Sequence, residues 1–411
     1  MRIDPRRAVL AGIAVALALR VGYAAHAWRN IPTSSDDYET IALSLLERGE
    51  YSTAPGTPTA IREPVYPLLI AAAYAPFGRR PWIVLALQVL LGVATCLVAQ
   101  RLALRLFDKR VGLAVLWVCA LHPQLIYYTA YFFRDTLLAF LFSVLCLASV
   151  DWSAAAGDPR GDAAAKEGGW TAAALGLANS AHLPAVALAG AALWLVAPKP
   201  VRRRRALYYF APLLLAFGLW SLRNWRAFGA FVPGSTHGGP EFYQALVVPP
   251  ADLGTPRQTE ILSADPDWLA AEPLGELAQS QVLTKAAFRW IGTHPGLYLS
   301  RAVAGFAKFW RPWPYKRAYP HSYALLLAAS LLSDAWIVPL GLFGLWMCRR
   351  RWRQAPAVWT GALGLTAVYG AVHAVIRYRL PLVPPMIVFA VAAAANMKLV
   401  NRTMSPDVRP T

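Results

Sequence analysis

The chain has 411 residues, of which 57% are hydrophobic, and a formal net charge of +18. That balance excludes an ordinary water-soluble enzyme, because apolar runs of about 20 residues recur, the length that crosses a hydrocarbon core of roughly 30 Å. The basic excess fits cytoplasmic helix ends facing anionic lipid; no nucleic-acid motif accompanies it.

The pattern predicts an all-α integral membrane protein with about ten spans. They fall near 8–28, 81–100, 111–130, 133–150, 170–181, 183–198, 206–222, 323–347, 356–373 and 380–397. The basic N-terminus and first apolar run read as an uncleaved span, since no small-x-small cleavage pattern precedes the acids that follow. The clusters RLALRLFDKR (101–110), KPVRRRR (199–205) and RRRWR (349–353) mark the cytoplasmic side. Arg2, Arg6, Arg7, Lys398 and Arg402 then place both termini there too. One polytopic domain is expected over 1–400, with outer loops 29–80 and 223–321 and a short cytoplasmic tail, 401–411. Residues 151–169, small and polar, read as a flexible cytoplasmic loop. Asn401-Arg402-Thr403 is a sequon on the wrong side for glycosylation. Cys96, Cys119, Cys146 and Cys348 lie in apolar runs without CxxC spacing and read as packing residues.

Five outer stretches could carry chemistry. SSDDYETIALSLLERGEYS (34–52) opens with Asp36 and Asp37, which suit either a helix cap or a general base. IREPVYPLLIAAAYAPFG (61–78) predicts a short interfacial helix, with Arg62 placed to clamp a lipid phosphate or simply to snorkel. HPQLIYYTAYFFRDTLLAF (122–140) carries an aromatic belt and the Arg134-Asp135 pair, either a cap or a second site carboxylate. NSAHLP (179–184) brings His182 to an outer helix end, where a satisfied interface histidine competes with a ligand. In the mid-chain stretch Arg223 ends a span, and the glycine-rich loop after it, containing His237, has backbone N–H groups able to meet an anion. Finally, HAVIRYRLPLVPP (373–385) sets Arg377 and Arg379 at an outer boundary, against the positive-inside trend.

Taken together and in order, these stretches resemble the GT-C superfamily of polytopic glycosyltransferases. The branch they are most similar to, glycosyltransferase family 39-type, contains the protein O-mannosyltransferases and the lipid A aminoarabinose transferase, beside rhizobial galacturonosyltransferases. SDDYETIALSLLERGEYS looks like its acidic first-loop motif, IREPVYPLL like its Arg-x-Pro-x-Tyr-Pro stretch, and FFRDTLLAFLF like its second loop with an acid. RNWRAFGAFVPGSTHGG and RYRLPLVPP resemble its mid-chain loop and final motif.

The resemblance implies inverting transfer of a sugar from a polyprenyl-phosphate donor to an envelope acceptor, be it lipid, polysaccharide or protein. Transfer would occur on the outer face of the cytoplasmic membrane. Asp36, Asp37 and Asp135 are the implied catalytic acids. Arg62, Tyr66, Arg223, His237, Arg377 and Arg379 are the implied donor-phosphate and lipid contacts. Many relatives place the key Asp where this chain has Ser34, so Asp36 or Asp37 takes the role. No organic cofactor is expected. A divalent metal, if used, would sit on Asp37 and Asp135. A flippase or transporter of lipid-linked sugars, a glycan polymerase and a non-catalytic scaffold are the rival classes. A transporter should carry midplane charges and internal repeats, yet Asp334 is the one clear intramembrane acid and no repeat is visible.

Overall fold

A computed structural model describes residues 4–28, 35–154, 158–318 and 320–395. Arg2, Ser34, Lys398 and the 401–403 sequon lie outside the described residues. The chain is 81% helical, so the expected all-α class holds, and the one sheet found among the described residues is a two-stranded hairpin, β1 (Ser52–Ala54) and β2 (Thr57–Pro58).

The helices follow in order. The first half contains α1 (Pro5–Ala27), α2 (Tyr38–Arg48), α3 (Val65–Tyr74), α4 (Pro81–Leu106), α5 (Lys109–Leu121), α6 (Pro123–Tyr127), α7 (Asp135–Ala154), α8 (Pro159–Ala178), α9 (Leu183–Val196) and α10 (Lys199–Phe228). After α10 come α11 (Gly238–Val247), α12 (Pro256–Ser263), α13 (Pro266–Ala271), α14 (Glu276–Thr293) and α15 (Pro295–Trp310). The chain then re-enters the bundle as α16 (Tyr323–Leu332), α17 (Asp334–Cys348), α18 (Pro356–Ala371) and α19 (Val383–Ala395). Proline at the first turn opens most of these helices, where its missing N–H is no loss. Gly49 and Gly229, at φ 69° and 66°, end α2 and α10 in left-handed caps that a side chain would strain.

Among the described residues six helical segments are long and apolar enough to cross a membrane, and a seventh if the bent pair Lys109–Leu121 and Pro123–Ala130 is one span. This does not confirm the expected count of about ten. The expected spans exist as helices, but α9 has 14 residues and α18 has 16. At 1.5 Å per residue these fall short of a roughly 30 Å core. The expected span 170–181 is the second half of α8, whose first half is charged. The flexible loop expected over 151–169 is also corrected: α7 runs to Ala154 and α8 begins at Pro159. Asp158 caps α8 by accepting from Arg160 N at 2.9 Å, and an alanine-rich sequence propagates it. Gly161 and Gly169 then let α8 pack closely on Arg205 and on the carbonyls of Tyr208 and Tyr209.

Two buried arginines hold the breaks in the bundle. Helices α5 and α6 meet at 57° around His122, which leaves the last carbonyls of α5 without intrahelical donors. Arg20 of α1, fully buried, donates to Cys119 O at 3.1 Å and Ala120 O at 3.2 Å. The apolar run 323–347 is likewise broken, at Ser333, so that Asp334 heads α17. Asp334 accepts from Arg379 Nη2 at 3.1 Å and from Gln124 Nε2 at 2.6 Å, with His122 Nε2 3.4 Å away. Arg379 also donates to Phe309 O and Arg311 O. One buried ion pair thus ties α6, α15, α17 and the 3-10 segment Ile376–Leu382 together.

Removing one partner of a buried pair leaves the other charge uncompensated, at a cost of roughly 3–5 kcal/mol. Arg379→Met should therefore lower the melting temperature in detergent, and adding Asp334→Asn should recover part of the loss. A melting temperature unchanged by Arg379→Met would contradict this role.

Candidate active site

The site is built from the first loop inward. Asp36 and Asp37 have φ of 60° and 59°, and among the described residues they are the only non-glycines with positive φ. Such conformations cost about 1–3 kcal/mol each and persist where the surroundings impose them. Asp37 occupies the N-cap position of α2, yet its side chain accepts no helix N–H. Capping therefore does not explain these acids. Arg62 fixes the turn instead: its Nε donates to Asp36 O at 2.8 Å and its Nη2 to Asp36 Oδ1 at 3.1 Å. Its guanidinium lies 5.5 Å from the Tyr38 ring centre.

Glu63, next in sequence, turns to the bundle. It accepts from Arg134 Nη1 at 2.6 Å and from Ser180 N and Oγ at 2.8 and 2.6 Å. Burial pulls its pKa upward, but Arg134 and the Ser180 donors outweigh burial and hold the carboxyl below its ordinary value. The first loop is thereby bound to the head of α7 and to the α8–α9 corner.

Asp135 begins α7 and is buried, with Arg377 Nε 3.5 Å from its Oδ1. Arg377 stacks 4.6 Å over Phe133 and 5.5 Å over Tyr378. Around this pair lies a cleft of about 240 Å³, lined also by Arg134, Asn179, His182, Tyr369 and Tyr378. Asn179 Nδ2 donates to the Tyr369 hydroxyl at 3.0 Å. Both ring nitrogens of His182 are buried without a hydrogen-bond partner, as is Thr136 Oγ1 beside Asp135. Unpaired buried polar atoms are unfavourable unless a ligand or water completes them. His182 is therefore not a satisfied interface histidine.

A second layer closes over the cleft. Glu241 of α11 bonds His237 Nε2 at 2.9 Å and His373 Nδ1. Burial opposes ionisation, yet the two histidines hold the Glu241 carboxyl well below the usual range. Glu276 of α14 accepts from Thr59 Oγ1 at 2.6 Å, from Ala60 N at 2.7 Å and from Thr236 Oγ1. These bonds latch the segment 223–321 onto the segment 29–80.

The structure pairs Asp36 with Arg62 and Asp135 with Arg377. It places the other expected residues differently. Arg223 donates to Thr59 O at 2.6 Å and Tyr51 O at 2.7 Å and is sandwiched by Tyr51 and Trp220, so it braces the hairpin. Tyr66 is fully buried and donates to Gln88 Oε1 at 3.0 Å. His237 holds Glu241, and Arg379 belongs to the Asp334 pair. Asp37 makes no hydrogen bond to a described residue at its side chain. The glycine-rich loop after α10 packs inward, with Thr236 N donating to Ala60 O at 3.0 Å. Among the described residues, no group of three or more His, Cys, Asp or Glu side chains is placed to hold a metal ion. Glu63, Arg134, Asn179, Tyr369 and Tyr378 were not singled out as site residues; the aromatic ones carry no motif signal.

No family model and no curated protein matches the chain. Solved structures do. The oligosaccharyltransferase AglB of Archaeoglobus fulgidus, in complex with an inhibitory peptide and a dolichol-phosphate, matches with 14% identity and a TM-score of 0.58, covering 95% of this chain and 50% of that one. The same enzyme complexed with zinc and sulfate gives 15% identity and a TM-score of 0.54, over 94% and 48%. ArnT from Cupriavidus metallidurans bound to undecaprenyl phosphate gives 15% identity and a TM-score of 0.43, over 94% and 78%. The chain thus spans about half the length of the archaeal oligosaccharyltransferase. The chain shares its fold with the archaeal oligosaccharyltransferase.

Because Glu63 ionises more readily in the folded chain, it adds stability that is full above the ordinary glutamate value, about 4.3. That stability is lost as pH falls through the lower folded value. Glu63→Gln should lower the melting temperature at neutral pH and narrow its gap to wild type in acid. A gap that stays constant down to strongly acidic pH would count against the Glu63–Arg134 pair.

Proposed function

We propose that the chain is an inverting glycosyltransferase that moves a sugar from a polyprenyl-phosphate donor to a hydroxyl-bearing envelope acceptor. The reading rests chiefly on one observation: Asp135 and Arg377, 3.5 Å apart, line a cleft together with Arg134 and His182, and Arg134 is held by Glu63, the neighbour of the Arg62 that pairs with Asp36. Asp36 acts as general base on the acceptor hydroxyl, which attacks the anomeric carbon from the face opposite the phosphate. The glycosidic C–O bond forms as the C–O bond to phosphate breaks, and polyprenyl phosphate leaves as the anion. Arg377 and Arg134 stabilise that anion, since guanidinium groups match phosphate oxygens in pairs. Asp135 holds Arg377 in place. His182 and Thr136, unpaired in the structure, donate to or accept from sugar hydroxyls.

Asp36 is preferred to Asp37 because Arg62 fixes its carboxylate, donating from Nη2 to Oδ1 at 3.1 Å. The dolichol-phosphate and peptide bound by AglB, a protein of the same fold, are consistent with a lipid-phosphate donor and an acceptor from outside the membrane. The mannosyltransferase-like label, the cell-envelope setting, the cytoplasmic-membrane location and the outward-facing site all belong to this same proposal. The transporter alternative is weakened by Asp334, which is tied up in its pair with Arg379.

The test is mass spectrometry of envelope lipids and glycans from a deletion strain complemented with wild type, Asp36→Asn or Asp37→Asn. Loss of a general base should reduce transfer by roughly 10²–10⁴-fold. One sugar mass should vanish on deletion, return with wild type and stay absent with stably expressed Asp36→Asn. Full restoration by Asp36→Asn would refute the base assignment. Accumulation of undecorated lipid-linked sugar on one face, with no lost product, would favour the transporter.

A further inference from the structure

A second cleft lies behind the His373–Glu241 layer, between α15, α18 and the end of α11. It is open to solvent and lined by Arg301, Lys308 and His373 among apolar neighbours. Arg301, Gly305 and Lys308 share one face of α15 because they are spaced four and three residues apart. A side chain at Gly305 would run into Gly370 O, so the two helices touch there and form the floor. Each cation is only partly answered. Lys308 Nζ donates to Pro250 O at 2.8 Å and lies 5.5 Å over the Tyr315 ring. Arg301 Nη1 reaches Val248 O at 3.3 Å, and its guanidinium lies 5.2 Å over Trp290. Among the described residues neither cation has a carboxylate within ion-pair distance; Asp252, the nearest acid in sequence to those carbonyls, pairs with Arg317 at 3.5 Å. Burial and the neighbouring Arg311 push the Lys308 amine down to about 8. Glu241, the acid behind His373, is already bonded to two histidines. Two partly buried like charges without a counter-charge are unfavourable alone and become favourable once an anion sits between them.

We propose that the cleft between α15 and α18 is a second oxyanion site, distinct from the Asp135–Arg377 centre, that takes a phosphate or carboxylate group carried by the acceptor. Arg301 and Lys308 supply the charge, and His373, with Nδ1 on Glu241, has Nε2 left as a third polar contact. The acceptor assignment rests on the transferase reading; the anion site itself does not. An acceptor held here would lie one layer, His373 and Tyr378, from the reacting cleft. Acceptors bearing an acidic group would then be selected over neutral ones.

The test is isothermal titration of inorganic phosphate into the purified full chain in detergent, read without turnover, so that its failure is separable from failure of the transferase reading. Two classes of binding are expected in wild type. Arg301→Gln with Lys308→Gln should weaken one class by at least about tenfold, the usual worth of charged hydrogen bonds, while Arg377→Gln weakens the other. Lys308→Arg, which keeps the charge, should retain both classes and serves as the control for folding. Wild-type phosphate binding in the double variant, or equal loss in Lys308→Arg, would overturn the proposal. Competition by dihexanoyl phosphatidylglycerol separates the sources. If the lipid fails to displace phosphate from this class, the acceptor assignment is supported; if it displaces phosphate at lower concentration than phosphate itself requires, the site belongs to a lipid headgroup.

Discussion

The contact between Asp135 and Arg377 is the constraint around which the site is arranged. A carboxylate buried at the head of an apolar helix is unfavourable without a cation, and the chain supplies one from the far end of its sequence. Meeting that need brings the 3-10 segment Ile376–Leu382 against α7. The same logic recurs one residue earlier, where Arg134 needs Glu63 and so draws in the first loop. With Glu63 anchored, Arg62 is positioned to hold the strained Asp36 turn. Neighbouring residues in two short stretches thus make three acid–arginine pairs, Asp36–Arg62, Glu63–Arg134 and Asp135–Arg377, and Arg134, Asp135 and Arg377 line the cleft.

The arginines divide by what they bind. Arg20 and Arg223 donate to backbone carbonyls at a helix end or in the hairpin and replace hydrogen bonds that irregular backbone has lost. Arg205 and Arg379 combine carbonyls with an acid, Asp162 and Asp334 respectively, and Arg379 secures a broken helix. Arg62, Arg134 and Arg377 pair with acids, and the last two line the cleft. Arg134 and Arg377 are therefore the arginines placed to meet a phosphate in that cleft.

This division explains what was legible in the sequence. Apolar runs gave the helical class, and the acid–arginine motifs pointed to Asp36, Arg62, Asp135 and Arg377. The number of spans was not legible, because hydropathy does not register the shortness of α9 and α18 or the merging of 170–181 into the longer, partly charged α8. Nor could it separate Arg223 from Arg377, since both stand at span ends and differ only in the groups that folding brings beside them. The reading of 151–169 as a loop failed because small residues serve equally in linkers and in tightly packed helices. His182 was undervalued for a related reason: whether a histidine is satisfied depends on neighbours from α7 and α18 that local sequence does not name.

The account claims that the first loop and the Asp135–Arg377 pair act as one centre. A double-mutant cycle tests this most directly, using Asp36→Asn and Arg377→Gln and reading release of free polyprenyl phosphate from a polyprenyl-phosphate-linked sugar by the purified chain. Residues that act as a unit lose most of their effect together, so the double variant should be no worse than the poorer single variant by more than about threefold. A double variant whose loss equals the product of the two single losses would show independent action and contradict the account.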